Sequence, residues 1–284
     1  MFGRRNQVGM TLIECMLALT LSTFMVSCLF EMYLAVENHR SFQDNLISMK
    51  ENAELISQLM AHHLRNAGYA GCAKLTNDFP INNHLTIDIS EKSKIQSDNE
   101  KDIKPETDGL LIWHANKLNG LLTQKILNNS VLYVGSKDTF SPNDRLLISD
   151  CKQADVITIK KSVLLSDGTQ KINSMQKISH VYGKNSEIHR IEQEHFFIGD
   201  TGRLNDERQP IYALYEKDND EHKSELVEGV EALHIELINI ENNQVLGQSI
   251  KSVTNAEHAA GVSFEFIFPL HHKWYTYVAL RSLV

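Results

Sequence analysis

The apolar positions of this chain fall into three regimes. From Met10 to Phe30 nearly every residue is apolar or small, and Glu14 is the only charge. A helix of that length covers roughly 30 Å at 1.5 Å per residue, the hydrocarbon thickness of a bilayer. Beyond it the pattern becomes periodic. Phe42, Leu46, Met49, Ala53, Ile56, Met60, Leu64 and Ala67 recur at steps of three and four, with Asp44, Lys50, Glu51, Glu54 and Arg65 beside them. That spacing is a one-sided helical stripe. No proline interrupts Met10 to Ala67, and Gly68 and Gly71 supply the stop signal of a helix C-terminus. The pattern predicts one helix of about 55 residues, roughly 80 Å long, whose second half is amphipathic because one side meets a sheet.

From Leu75 onward the period shortens to that of strands. Gly109–Ile112, Val131–Val134, Arg145–Ile148 and Val156–Ile159 are short β-prone runs, and Ser166-Asp167-Gly168-Thr169 reads as a hairpin turn. Leu233, Ile235 and Leu237 alternate with His234 and Glu236, and Val262, Phe264, Phe266 and Phe268 form a second alternating run. Both are half-buried strand patterns. Asp88 to Asp108 carries 11 charges in 21 residues and reads as an exposed loop.

Composition bounds the function. With 284 residues the chain holds the apolar segment and one globular domain of ordinary size. The net charge of −8 and the lack of a basic stripe argue against nucleic-acid contact. Arg4 and Arg5 precede the apolar run. Positive flanks stay cytoplasmic, so the bulk of the chain is expected in the periplasm, where disulfides form. Cys15 and Cys28 lie in the apolar run, about 20 Å apart along a helix, too far to bridge within one chain. That leaves Cys72 and Cys151 as the expected disulfide pair.

Glu14 needs a reason, since a carboxylate near the bilayer centre costs roughly 2.5–3.5 kcal/mol on insertion scales. Three readings of the N-terminus compete: a cleaved secretory signal with small residues at Ser22 to Ser27, a plain signal anchor, or a cut after Gly9. Glycine lets an extended backbone enter a protease site closely, and a cut there makes Met10 the new N-terminus and Glu14 its fifth residue. "GMTLIE", Gly9 to Glu14, followed by the apolar run, resembles the type III signal of type IV pilins and type II secretion pseudopilins. The resemblance implies that a prepilin peptidase cuts between Gly9 and Met10 and methylates the amino group of Met10. It also implies that Glu14 pairs with the positive N-terminus of a neighbouring subunit during assembly. Met10 departs from the phenylalanine usual in the family, and Cys15 is unusual beside the glutamate.

The chain is about twice the length of most major pilins. "LRNAGYAGC" (Leu64 to Cys72) and "DRLLISDCKQADV" (Asp144 to Val156) resemble PilW-type minor pilins. "PIYALY" (Pro210 to Tyr215), "ELVEGVEALHIE" (Glu225 to Glu236) and "VALR" (Val278 to Arg281) continue the likeness in order. The implied fold is α+β, a pilin-like lollipop with a long N-terminal helix packed on a mainly antiparallel β-sheet domain. Its divisions are a cleaved leader (1–9), a transmembrane and assembly segment (10–36), an amphipathic helix segment (37–71) and a periplasmic β-rich domain (72–284). The implied role is priming of pilus assembly at the inner membrane and incorporation at the fibre tip. Implied partners are other minor pilins, the major pilin, a tip adhesin, the prepilin peptidase and the inner-membrane assembly platform. A minor pseudopilin of type II secretion is the alternative within this architecture, and a membrane-anchored periplasmic enzyme is the alternative from another class.

Enzyme signatures are weak. His62 and His63 are adjacent on the helix and point apart, while Glu192, Glu194 and His195 crowd an ion only if their strand bends. No HExxH spacing occurs. His234-Ile235-Glu236 lacks the paired cysteines of a deaminase, and Asp218-Asn219-Asp220 fits a turn better than a calcium loop. No GxSxG, Walker-type loop or GxGxxG is present. The sequence therefore predicts a non-enzymatic subunit with no cofactor and no metal.

Overall fold

The computed structural model describes residues 12–73, 79–83, 89, 94–98, 101–116, 119–126, 130–205, 207–241, 244–252 and 259–280. Gly9 and Met10, with the cleavage and methylation assigned to them, lie outside the described residues, as do the side chain of Phe42 and the end of the last matched segment, Arg281.

Helix α1 runs unbroken from Leu12 to Asn66, 55 residues, as the uninterrupted apolar pattern requires. By internal contacts the chain divides between Asn52 and Ala53, and α1 contributes to both units. In the first unit, Leu12–Glu37 is long and apolar enough to cross a bilayer. Its hydroxyls are satisfied within the helix. Thr20 donates to the Leu17 carbonyl at 2.9 Å, Ser22 and Thr23 to Leu19 at 3.0 and 2.9 Å, and Ser27 to Thr23 at 3.0 Å. These bonds let small polar residues sit in hydrocarbon without an orphaned donor. Cys15 and Cys28 are exposed free thiols.

In the second unit the stripe on α1 is buried at Ala53, Ile56, Met60 and Leu64. The helix ends where the glycines predict. The Gly68 amide donates to the Trp113 carbonyl at 2.8 Å, so the chain leaves α1 already tied to a strand. Gly71 has a positive φ of 64°, and a Cβ there would run into the His189 ring. Only glycine meets both requirements.

Eleven strands form one large sheet: β1 (Ile81–Asn83), β2 (Ile95–Asp98), β3 (Gly109–Ala115), β4 (Gly120–Leu122), β5 (Val131–Ser136), β6 (Arg145–Ser149), β7 (Ala154–Leu164), β8 (Thr169–Ser174), β9 (Glu187–Leu204), β10 (Pro210–Lys217) and β11 (Lys223–Glu228). Among them only β1 and β7 pair in parallel. The pairing also closes on itself. Going β4–β5–β8–β7–β6–β9 and back to β4, every neighbour is antiparallel and hydrogen-bonded. The result is a small barrel, filled by Val134, Leu146, Ile148, Ile157, Ile172 and Ile188. Closure removes the exposed edges that these apolar strands would otherwise present.

Strand β9 is 18 residues long and leaves the barrel to build the rest of the sheet. Its first residues pair with β4 and β6, Ile191 to Phe196 pair with β3, and His195 to Leu204 pair with β10. A second sheet of four strands has the order β13 (Gln244–Ser249), β12 (Ala232–Glu241), β14 (Ala259–Phe268), β15 (His272–Ala279). Its alternating residues, Leu233, Ile235, Leu237, Phe264, Phe266 and Phe268, are buried as their period predicts.

The charged stretch from Asp88 to Asp108 departs from the expected exposed loop. Its described part contains β2, antiparallel to β3, and Lys94, Ile95, Asp98 and Asp108 are buried. The charges are accommodated because they are paired. The Asp108 carboxylate accepts the Ile235 amide at 2.8 Å and binds Lys251 at 2.8 Å, joining the two sheets. The chain is thus α+β, an N-terminal apolar helix plus a large, mostly antiparallel β domain.

Cys72 and Cys151 are disulfide-bonded, with Cα atoms 4.9 Å apart, linking the exit of α1 to the β6–β7 turn. Closing a loop of 79 residues constrains the unfolded chain by roughly 4–5 kcal/mol in the entropy model. Replacing both cysteines by serine should lower the unfolding free energy by about 2–5 kcal/mol, read from the denaturant midpoint of the purified chain. Non-reduced peptide maps of the wild type should contain the Cys72–Cys151 peptide pair. Two free thiols at these positions would contradict the assignment.

Candidate functional site

Glu14 lies in the first turn of α1, on the exposed apolar segment. The two cysteines lie far along the chain, where β9 organises their surroundings. The Cys72 amide donates to Glu187 Oε2 at 3.1 Å, and the same oxygen meets His189 Nε2 at 3.1 Å. The other ring nitrogen of His189 faces the Asn116 carbonyl at 2.9 Å. On the other side of the bridge the Ser149 hydroxyl accepts the Cys151 amide at 3.1 Å. The segment around Gly71 and Cys72 is therefore seated on a Glu187–His189 pair.

Three residues distant in sequence meet further along β9. His63 on α1, His114 on β3 and Glu194 on β9 lie with ligand-type atoms all within 4.8 Å of one another. His114 Nε2 is 3.2 Å from Glu194 Oε1, and His63 Nδ1 hydrogen-bonds Glu194 Oε2. The His63 ring also packs edge-on against Phe196, 5.0 Å between centroids. Of the residues considered from sequence, only Glu194 and His63 take part. Strand alternation turns His195 to the opposite face, where it binds Asp98 at 3.1 Å, and Glu192 accepts the Asn116 amide group at 2.7 Å. His114 carried no local signal. It is recruited by the β3–β9 register, which sets it opposite Glu192 and one step from Glu194.

Electrostatics lock this trio. Burial opposes the charge on Glu194, but hydrogen bonds from His114 and His63 and their positive charge outweigh it and hold its pKa down to about 2. Burial likewise opposes a charged His114. The hydrogen bond and charge of Glu194, the Ala115 carbonyl and the charge of Glu192 together win, so its pKa is raised above the usual histidine value. Glu216 on β10 stands close by, and its pKa is raised, first by burial and further by the charge of Glu194, against the opposite pull of His63. A cleft of about 320 Å³ opens beside Glu194, with Arg145, Glu192, Glu216 and the turn at Asp218–Asp220 in its wall. Arg145 spans it, donating to Gln193 at 2.7 Å and to Asn219 at 3.3 Å.

The Asp218–Asp220 segment is a turn, as its composition suggests. The Asp218 carboxylate accepts the backbone amides of Asp220 at 2.9 Å and His222 at 3.0 Å. Comparison with protein-family models, curated proteins and solved structures gives no match to this chain.

The trio implies a definite pH response in metal-free buffer. A depressed Glu194 pKa gives stability that is present above the ordinary glutamate value and lost as pH falls toward about 2. A raised His114 pKa gives stability that is complete below the ordinary histidine value and lost as pH rises through the folded value. The two overlap in weakly acidic solution. The stability gap between wild type and His114→Gln should therefore be largest near pH 6 and shrink toward pH 9, measured by denaturant titration with a chelator present. A gap that grows with pH would contradict the assignment of a proton to His114.

Proposed function

We propose that this protein is a minor pilin that takes part in priming type IV pilus assembly and is carried at or near the fibre tip. The observation that carries the reading is the head of the apolar run, where a carboxylate stands five residues after Gly9 and is the single charge between Met10 and Phe30. The cost of a carboxylate in hydrocarbon is offset when helices pack and a cation is brought to it. Cleavage after Gly9 would give every neighbouring subunit such a cation in its new amino terminus. Three further features support the reading: the unbroken 55-residue helix, its glycine-marked exit, and the disulfide that fastens the exit to the β domain. On this reading the partners are other minor pilins, the major pilin, a tip adhesin, the peptidase and the assembly platform. The protein is a single-pass inner-membrane protein before it enters the surface fibre. A minor pseudopilin would share these features. Deletion separates the two, since loss of pili marks the first and loss of secreted enzymes the second.

The Glu14→Ala chain should still insert and be cleaved, because the apolar run is unchanged and cleavage precedes packing. Recruitment should fail instead. At matched expression the processed protein should accumulate in the inner membrane and cells should carry fewer pili, with number affected more than length because few initiating subunits serve each fibre. Pilus counts by electron microscopy and crosslinking to partner pilins provide the readout. Normal counts with normal crosslinks would remove Glu14 from the mechanism.

A further inference from the structure

We propose that His63, His114 and Glu194 form a binding site for a divalent cation of the zinc class, which clamps the end of α1 to strands β3 and β9. This goes beyond the assembly role and stands whether or not that role is correct.

The donor set is two imidazole nitrogens and one carboxylate, a combination that suits zinc rather than the all-oxygen shells of calcium or magnesium. The three donors come from a helix and two strands, so the fold rather than a local turn brings them together. Tetrahedral zinc ligands stand about 3.3 Å apart, given bonds of roughly 2.0–2.1 Å. His114 Nε2 and Glu194 Oε1 are already 3.2 Å apart, and the widest separation in the set is within 4.8 Å. Small side-chain rotations close that difference.

The outer contacts have the pattern that metal-binding histidines show. His114 Nδ1 is 3.3 Å from the Ala115 carbonyl. With Nδ1–H given to that carbonyl, release of the Nε2 proton leaves a lone pair aimed at the Glu194 carboxylate. Two acceptors facing one another need a cation between them, and a metal ion supplies it without a proton. The surroundings carry surplus negative charge for a divalent ion. Glu216 acts electrostatically on the site from β10, and Glu192 acts on His114 from directly across the β3–β9 pairing. Glu194 also borders the cleft, which gives an entry path and room for a fourth ligand, either water or Glu216.

Among the described residues a second cluster of donors, Asp218, Asp220 and His222, is exposed and belongs to a single turn. Its central carboxylate is occupied by the backbone amides of that turn. It serves as the internal control.

The test uses the full chain purified in detergent, stripped with a chelator and titrated with zinc against a chromophoric competitor. The expected result is close to one equivalent bound at micromolar or lower dissociation constant, undisturbed by millimolar calcium or magnesium. His63→Ala, His114→Gln and Glu194→Gln should each weaken binding by at least about 100-fold, beyond the 10–100-fold typical of outer-shell changes. The double variant Asp218→Asn/His222→Gln should bind as the wild type does. Cobalt titration of the wild type needs no variant to fold and should give the intense visible absorption of a four-coordinate site, abolished by zinc. Zinc binding weaker than about 100 μM, displacement by calcium, loss only in the Asp218/His222 variant, or a weak six-coordinate cobalt spectrum would each overturn the proposal.

Discussion

The pairing of β9 with its neighbours is the constraint on which the β domain depends. Over its 18 residues this strand closes the barrel against β4 and β6, then holds β3, then β10. Because strand side chains alternate between faces, a slip of one residue would exchange every one of them. Ile188 would leave the barrel core, Glu187 would lose the Cys72 amide, and Glu194 would lose both histidines. The disulfide environment and the His63–His114–Glu194 trio are thus two consequences of one register. Barrel closure makes that register costly to change, since β9 is held from both sides where it enters the ring.

Helix α1 answers two different demands along its length. Where it is exposed and apolar, the hydroxyls of Thr20, Ser22, Thr23 and Ser27 bond to the preceding turn, which suits a lipid or helix-packed setting. Where it carries a stripe, Ala53, Ile56, Met60 and Leu64 are buried, and the helix ends in direct backbone bonds to β3. The disulfide and the Glu187–His189 seat then secure the chain just after its exit.

Much of this could be read from the sequence. The length of α1 followed from an unbroken apolar pattern and two glycines, and β3, β5, β6, β7, β12 and β14 followed from short alternating or continuous apolar runs. These signals are local. Barrel closure was not legible because it depends on pairings between residues far apart, such as Leu146 with Arg190. Strand β9 was missed because Arg190, Glu192 and Glu194 interrupt its apolar residues, and their charges are balanced only by partners elsewhere, such as Asp144, His63 and His114. The same reason hid β2 within a charged stretch, since the buried Asp98 finds its hydrogen-bond partner in His195, nearly a hundred positions away. Glu194 and His63 were each visible as candidates, but nothing local joined them or pointed to His114.

The account rests on how the N-terminal segment is processed, and the mass of the mature protein tests it most directly. Membrane-extracted protein should begin at Met10, carry one N-terminal methyl group and retain Glu14 as its fifth residue. A mature terminus between Ser22 and Ser27 would mark an ordinary secretory signal and contradict the pilin reading.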